Sequence, residues 1–596
     1  MTSTHTHAAR WVLLIFALWC LVGQHVFIHH LGGVGLDLPF NAISWLFVGA
    51  MLAAGAGCVK PVVITSRWWL CMAAGALMLW IPYFYPHAET TRIQALPRLL
   101  GLAGGLLFYL MLQQCRFNSA QRRGLLTGLL VLASLQMLFG FIQFFLLPAE
   151  NWFHFNTSVR LPYGIFMQRN VMSSFVGSAV LLALYLLIVA RAGRGHWLMW
   201  LWGGTAAVAG IVLVVLLQSR AGLYSLLAGL LLLLPVCWLR LNTRWQRWLL
   251  LAVVVMAVVA GVVLLLQSDL HRRMLQVYGE LGVRHEIWLT TLGLIGRHIW
   301  AGIGYGGFEP AYYAEAASIM VRSGIAPQMP GGLHHPHNEI LLWLVEGGVV
   351  ALLAWLIWAL GVGQLLRRLP WSERLAMVAL CLPVLAHLMS EYPFEHSVLH
   401  WLWLLILLYF FDSQNNKGKV LSVTTAWPLR GILLASGMGL VLYMATGLQT
   451  TYQLTHYQRE GYSRPGRLST VLNPWFWPER LQLYQQSENL VLALTQQRPE
   501  GVKAYLNWSE PLITRLPRVT LMHNHLVALL ALGKDHQAEE LAARLRLEYP
   551  KVGHYSVAAL NKIRAQLQQG KAQVYRHLSQ PVGSATYYGQ WHYPSP

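Results

Sequence analysis

The residues best equipped for chemistry gather in five short stretches. Gln168, Arg169 and Asn170 stand together in MQRNVM, Ser219 and Arg220 in QSRAG, and Arg284 opens RHEIWLTTLGLIGRHIW. His337, Asn338 and Glu339 lie in HHPHNEILLWLVEGG, and His387, Glu391 and Tyr392 in HLMSEYP. Two arginines with Asn and Gln donors can neutralise a diphosphate through charge-assisted, bidentate hydrogen bonds. A diphosphate leaves readily once its charge is stabilised, and histidine is the usual base for an incoming hydroxyl. His337 is the ring nearest the mouth of the apolar helix that follows. The set therefore suits transfer from a lipid diphosphate donor to an alcohol.

Each stretch also has a plainer reading. Arg220 suits an interfacial anchor that snorkels, Asn170 and Asn338 suit helix caps, and the Arg284 stretch suits a surface-lying helix. His387 and Glu391, four apart, suit a structural pair on one helical face. What separates the readings is where the elements that carry them lie.

Those elements belong to a membrane protein. The 596-residue chain is 56% hydrophobic and only 11% charged, with mean hydropathy +0.47; a water-covered surface needs roughly twice that charge. Apolar runs long enough to cross ~30 Å of hydrocarbon recur along it. About thirteen spans are expected, centred near residues 20, 49, 76, 105, 134, 180, 207, 230, 257, 350, 382, 404 and 438. The first, from about Trp11 to Ile28, lacks a following small-residue cleavage site and reads as an uncleaved span. The formal net charge of +20 sits mainly in short loops between spans. Such loops orient the chain and touch anionic lipid. With no basic-aromatic soluble module, membrane lipid is the expected partner and nucleic acid is not. All six cysteines lie in or beside apolar runs, which argues against disulfides and a cysteine-bound metal.

Loop charges then order the spans. Loops holding Lys60/Arg67, Arg116/Arg122/Arg123, Arg191/Arg194, Arg240/Arg244/Arg247, Arg367/Arg368/Arg374 and Lys417/Lys419/Arg430 fall on one side. The positive-inside rule makes that side cytoplasmic, with the N-terminus. The polar stretch 268–336 and the segment 451–596 are then external, and so are all five chemical stretches. Polar groups collected at membrane depth on one side line a cavity or site. The fold class expected is all-α and polytopic, with a membrane domain over 1–450 and a helical domain over 451–596. Within the latter, LVALLALGKDHQAEELAARLRLEYP has the pattern of one tetratricopeptide unit, or of a small helical domain of another type.

His334, His335 and His337 lack helical spacing because Pro336 interrupts them, so a metal site would need His387 or Glu391 to arrive through the tertiary fold. No metal or other cofactor is expected. GIGYGGF, from Gly302 to Phe308, has glycines spaced like a dinucleotide loop but follows no strand; it reads as a flexible turn with close backbone packing.

At these residues the chain resembles the bacterial O-antigen ligase superfamily, and within it the PglL-type protein O-oligosaccharyltransferases. The ligase signature is His, then Asn, Ser or Gln, nine residues, Gly, two residues, and Gly, Thr or Tyr. Here His337-Asn338 leads to Gly348, while Ala351 departs from the last position and keeps it small. HxxxEYP, from His387 to Pro393, resembles the PglL branch, and SRAG, QRN and RHEIW follow the family order. The likeness spans about 160–412; the flanking regions agree in layout only. It implies a GT-C-like, metal-independent, inverting enzyme of the bacterial inner membrane. Such an enzyme moves an oligosaccharide en bloc from undecaprenyl diphosphate to Ser or Thr of a periplasmic protein such as a pilin. By carry-over His337 is the catalytic base, and Arg220 and Arg284 hold the diphosphate. Gln168 and Asn170 position the donor, His387 and Glu391 support the pocket, and Glu391 orients a histidine. Arg169, Ser219, Asn338, Glu339 and Tyr392 share these motifs and are expected at the substrate.

Two other readings stand beside this one. An O-antigen ligase or polymerase would use the same donor with a lipid A-core or lipid-linked glycan as acceptor. A transporter or flippase would place polar sites nearer the midplane, often in inverted repeats, and no repeat is evident.

Overall fold

Within lipid, backbone polar groups must bond inside their own segment, so the apolar runs become helices. The computed structural model describes residues 2–189, 196–241, 243–267, 284–324, 332–414, 419–421, 426–550 and 555–576. The membrane part contains α1 (Thr2–Leu21), α2 (Pro39–Gly55), α3 (Arg67–Trp80), α4 (Leu96–Cys115), α5 (Ser119–Phe145), α6 (Arg169–Val189), α7 (His196–Leu216), α8 (Arg220–Arg240) and α9 (Arg244–Gln267). It continues with α10 (Arg284–Arg297), α11 (Phe308–Ser323), α12 (Glu339–Arg368), α13 (Trp371–Leu388), α14 (Pro393–His396), α15 (Val398–Asp412) and α16 (Ala426–Arg459). Five further helices follow: α17 (Pro478–Thr495), α18 (Pro499–Arg515), α19 (Val519–Ala531), α20 (Asp535–Glu548) and α21 (Val557–Gln568).

Among the described residues, eleven helices are long and apolar enough to span a bilayer. The protein is an all-α polytopic membrane protein. The two expected spans near 76 and 404 fall on α3 and α15, which are shorter, at 14 and 15 residues. Both still run from one end of the bundle to the other. Tyr305 donates to the Leu79 carbonyl at the far end of α3. Asn41 accepts from the Val398 amide at the start of α15, and Tyr109 donates to Asp412 at its end. Nearly all of α15 is buried. A helix walled in by other helices meets little lipid and need not match the bilayer's thickness.

The basic loops meet at one end of the bundle. β1 (Val63–Thr65) pairs antiparallel with β2 (Lys419–Leu421) in a two-stranded sheet. Arg116 donates to the Val62 carbonyl, Arg122 to Ser413 and Arg430 to Val59, while Arg240 pairs with Glu373 at 2.7 Å. Arg191, Arg194 and Lys417 lie outside the described residues, as do 268–283 and 325–331 of the expected external loop. At the opposite end Asn41 donates to the His396 carbonyl and Arg459 reaches His154 at 2.8 Å.

One irregularity positions the site. α12 is kinked at Gly348, whose φ of 61° and ψ of −148° interrupt the helix. The carbonyls of Val345 and Glu346 turn outward and accept the amides of Ile303 (2.9 Å) and Gly304 (3.1 Å). The glycine-rich turn between α10 and α11 thus replaces the bonds the kink removes. A Cβ on Gly348 would lie 2.6 Å from the Gly302 amide nitrogen, so backbone meets backbone there. The close packing expected of GIGYGGF is met, and its role is to dock α10 and α11 onto α12.

In the C-terminal region, α19 and α20 form a helix pair turning at Gly533 (φ 66°), with Ala538 and Ala542 fully buried against it. The core of α17–α21 also takes in Tyr313 of α11.

Candidate active site

Glu391 is the centre of the polar group at the end away from the basic loops. It follows α13 in a turn, and its carboxylate is buried. One oxygen accepts Nδ1–H of His337 at 2.7 Å; the other accepts from Arg284. Burial pushes this carboxyl up, but His337 and Arg284 outweigh it and hold it at about 2. A carboxyl held below its ordinary 4.5 contributes stability above that value and loses it as pH falls toward 2. Thermal midpoints taken from about pH 7 down to about pH 3 should therefore drop more for the native chain than for Glu391→Gln. Equal slopes would contradict the ion triad.

His337 is set by its neighbours. It adopts a left-handed backbone (φ 51°) after Pro336, a region sparsely used by residues other than glycine and concentrated at functional sites. Its amide donates to His335 Nδ1 at 3.0 Å. The His335 ring lies 3.5 Å from Tyr392, and His334 Nε2 is 2.9 Å from the Tyr392 hydroxyl. Burial, with His337 and His334 beside it, keeps His335 far below the usual histidine range and hence neutral. Trp288, one helical turn after Arg284, donates to the Pro336 carbonyl at 2.9 Å. α10 thus grips both the carboxylate and the histidine segment. The spacing of Arg284 and Trp288 in RHEIW was the readable sign of this.

The other expected residues are placed as follows. Asn338 caps α12: its Oδ1 accepts the Leu341 amide and its Nδ2 donates to the Met389 carbonyl. Its amide thus serves the helix start and the turn before Glu391. Glu339 is buried in the first turn of α12. Just past the end of α13, the Glu391 amide still donates to the His387 carbonyl at 2.9 Å, the i, i+4 bond their spacing predicts, but the His387 ring takes other partners. It turns inward to Ser174 at 2.7 Å, which also meets His400 at 3.0 Å. Gln168, Arg169 and Asn170 are half-buried at the start of α6, and Asn170 lies within its first turn instead of capping it. They come near the Glu391 turn because His396 of α14 bonds the Phe166 carbonyl at 2.8 Å. Ser219 caps α8 and Arg220 opens it. A Cβ on Gly222 would overlap the Ser173 side chain, so this helix start packs beside the start of α6. The direct cluster is Arg284, Glu391, His337, His335, His334 and Tyr392, with Arg220 and the QRN stretch at the same end.

A network absent from the sequence reading braces this cluster. Arg98 of α4 pairs with Glu346 beside the α12 kink and with Glu395 of α14 at 3.6 Å. Its guanidinium lies 4.8 Å from the ring of Tyr305 and 4.3 Å from that of Trp343. Nothing in the spacing of these residues joins them. The C-terminal helices also reach the histidine segment: Arg518 pairs with Glu309 of α11 at 2.8 Å and would crowd any Cβ on Gly332.

The fold also supplies the metal ligand that the spacing withheld. His335, His337 and Glu391 offer ligand atoms all within 4.8 Å of one another. In this arrangement the carboxylate already holds His337 and Arg284, and His335 Nδ1 already accepts an amide. A divalent cation would have to displace those bonds beside a guanidinium.

Two family models match the chain. Residues 205–356 match the O-antigen ligase family, which takes in Arg220, Arg284 and His337. Residues 375–562 match the C-terminal region of the virulence factor membrane-bound polymerase family, which takes in Glu391 and most of α17–α21. No curated protein matches the chain at a significant level. Together the two matches support a membrane-bound, glycan-transferring function of the ligase and polymerase kind, and with it the O-antigen ligase superfamily for this chain.

Proposed function

We propose that this protein transfers an oligosaccharide en bloc from undecaprenyl diphosphate to Ser or Thr hydroxyls of a periplasmic protein such as a pilin. The observation that carries the chemistry is the Arg284–Glu391–His337 triad at the end away from the basic loops. With those loops cytoplasmic by the positive-inside rule, the triad faces the periplasm of a bacterial inner membrane. Donation of Nδ1–H to Glu391 selects the tautomer whose Nε2 carries the lone pair. Nε2 takes the acceptor's hydroxyl proton as its oxygen attacks the anomeric carbon. The bond from that carbon to the diphosphate oxygen breaks in line, inverting the centre. The diphosphate leaves with its electron pair, its charge met by Arg284 and Arg220. Glu391 offsets the positive charge that His337 acquires. Asn338, Ser219 and His387 support this geometry through the bonds described, while Gln168, Arg169, Asn170, Glu339 and Tyr392 border the donor.

The match to O-antigen ligases favours a second reading, with a lipid A-core sugar or a lipid-linked glycan as acceptor. Purified protein, a lipid-linked glycan and both acceptor types, incubated with EDTA and read by mass spectrometry, separate the two. Glycan on Ser or Thr of the pilin, at a rate EDTA leaves unchanged, is expected. Glycan on the lipid acceptor alone would replace the protein-acceptor reading, and loss of transfer with EDTA, restored by zinc, would make the His335–His337–Glu391 group a metal site.

A further inference from the structure

Between α16 and α17 the chain folds back along the helix it has just left. The segment from Leu468 to Trp477 returns from the end of α16, at Arg459, to the level of Tyr443. Phe476 fills the space over Gly447, where any Cβ would overlap its ring. The returning loop is bonded almost entirely to α16 side chains. Gln449 donates to the Thr470 carbonyl and accepts the Leu472 amide, each at 2.9 Å. Thr450 bonds the Asn473 carbonyl at 3.0 Å, and Asn473 Nδ2 donates to the Tyr443 carbonyl at 3.2 Å. Asn473 Oδ1 accepts the Trp475 amide at 3.2 Å, and the Tyr443 hydroxyl donates to the Trp475 carbonyl at 3.1 Å. While its polar groups and the rings of Phe476 and Trp477 turn inward, two apolar side chains turn outward: Leu472 is 66% exposed and Trp475 78%.

The register of α16 says what lies outside them. This helix exposes an apolar flank through Trp427, Ile432, Leu434, Met438 and Leu442, as a lipid-facing helix does. About 20 helical residues cross the hydrocarbon, so counting from Trp427 at the basic end, the far boundary falls near Thr446. Tyr443 and Gly447, the contacts of Trp475 and Phe476, bracket that boundary. Backbone with internal partners and an outward indole is what the bilayer interface accepts.

We infer that the Leu472–Trp475 tip inserts into the leaflet on the site side of the membrane, as a lipid anchor continuous with the exposed flank of α16. It would hold α17–α21 against the bilayer, and so keep Arg518 beside the histidine segment.

The test uses the full chain in vesicles of phosphatidylethanolamine and phosphatidylglycerol. Trp475→Cys and Leu472→Cys carry an environment-sensitive fluorophore, Lys562→Cys on exposed α21 is the reference, and the native chain, whose cysteines are buried or half-buried, sets the background. Doxyl groups on the acyl chains near the headgroup should quench the 472 and 475 probes at least about threefold more than the 562 probe. Equal, weak quenching at all three would place the loop in water and overturn the anchor. Shielding that instead grows with protein concentration in detergent would point to a second copy, and would overturn it too. The native chain gives a check that needs no substitution. Photolysis with a diazirine-bearing phospholipid should label 472–475 along with Leu442, and labelling of Leu442 alone would reject the proposal.

Discussion

His337→Ala should reduce glycan transfer by about a thousandfold or more, the scale on which a positioned general base acts, while the protein still inserts into the membrane. His337 holds a left-handed backbone, which alanine adopts poorly, so lost activity in that variant alone could reflect a displaced loop. His337→Asn is the control. Asparagine tolerates that conformation and can still hydrogen-bond, but it cannot accept the hydroxyl proton. Both variants should be inactive at the chemical step with donor binding retained. Near-native transfer by His337→Asn would remove His337 from proton transfer and leave it a structural role.

Arg284→Ala carries the second large effect, because two functions meet in one side chain. It loses a donor to the departing diphosphate, worth about a hundred- to a thousandfold in rate for a preorganised contact. It also takes from Glu391 its guanidinium partner in a buried position. Arg284→Lys should recover little, since an ammonium lacks the planar fork that grips carboxylate and phosphate together. Arg220→Ala should fall comparably in kcat/KM through the diphosphate alone. The double variant should then lose less than the product of the single losses, because both residues stabilise one leaving group. Rates within a few-fold of native for Arg220→Ala would make Arg220 the snorkelling anchor of the plainer reading.

The site was legible in parts, for a definite reason. HHPHNEI, RHEIW and HLMSEYP each bring a residue to the triad, and their lodging at helix ends follows from the period and the end of apolar runs. His387 and Glu391 keep the i, i+4 backbone bond that their spacing predicts, yet that spacing says nothing of which partners the two side chains take. α13 stops at Leu388, and the His387 ring turns to Ser174. Arg98, Glu346 and Glu395 left no sign, since residues 248 apart in the chain meet only through packing. α3 and α15 read as full spans because hydropathy reports apolarity, whereas α15 is short within walls of protein and α3 passes at Trp80 into the 3-10 turn Ile81–Phe84.

By itself the sequence determined that this chain lives in a membrane as helices and that its basic loops share one end, because hydrocarbon rejects charge and unbonded backbone residue by residue. Only the tertiary structure decided which polar residues touch. Glu391 reaching His337 and Arg284, the Gly348 kink clasped by the Gly302 turn, and Leu472 and Trp475 folded back onto α16 are contacts between distant segments. Their energies depend on mutual position, which no local pattern encodes.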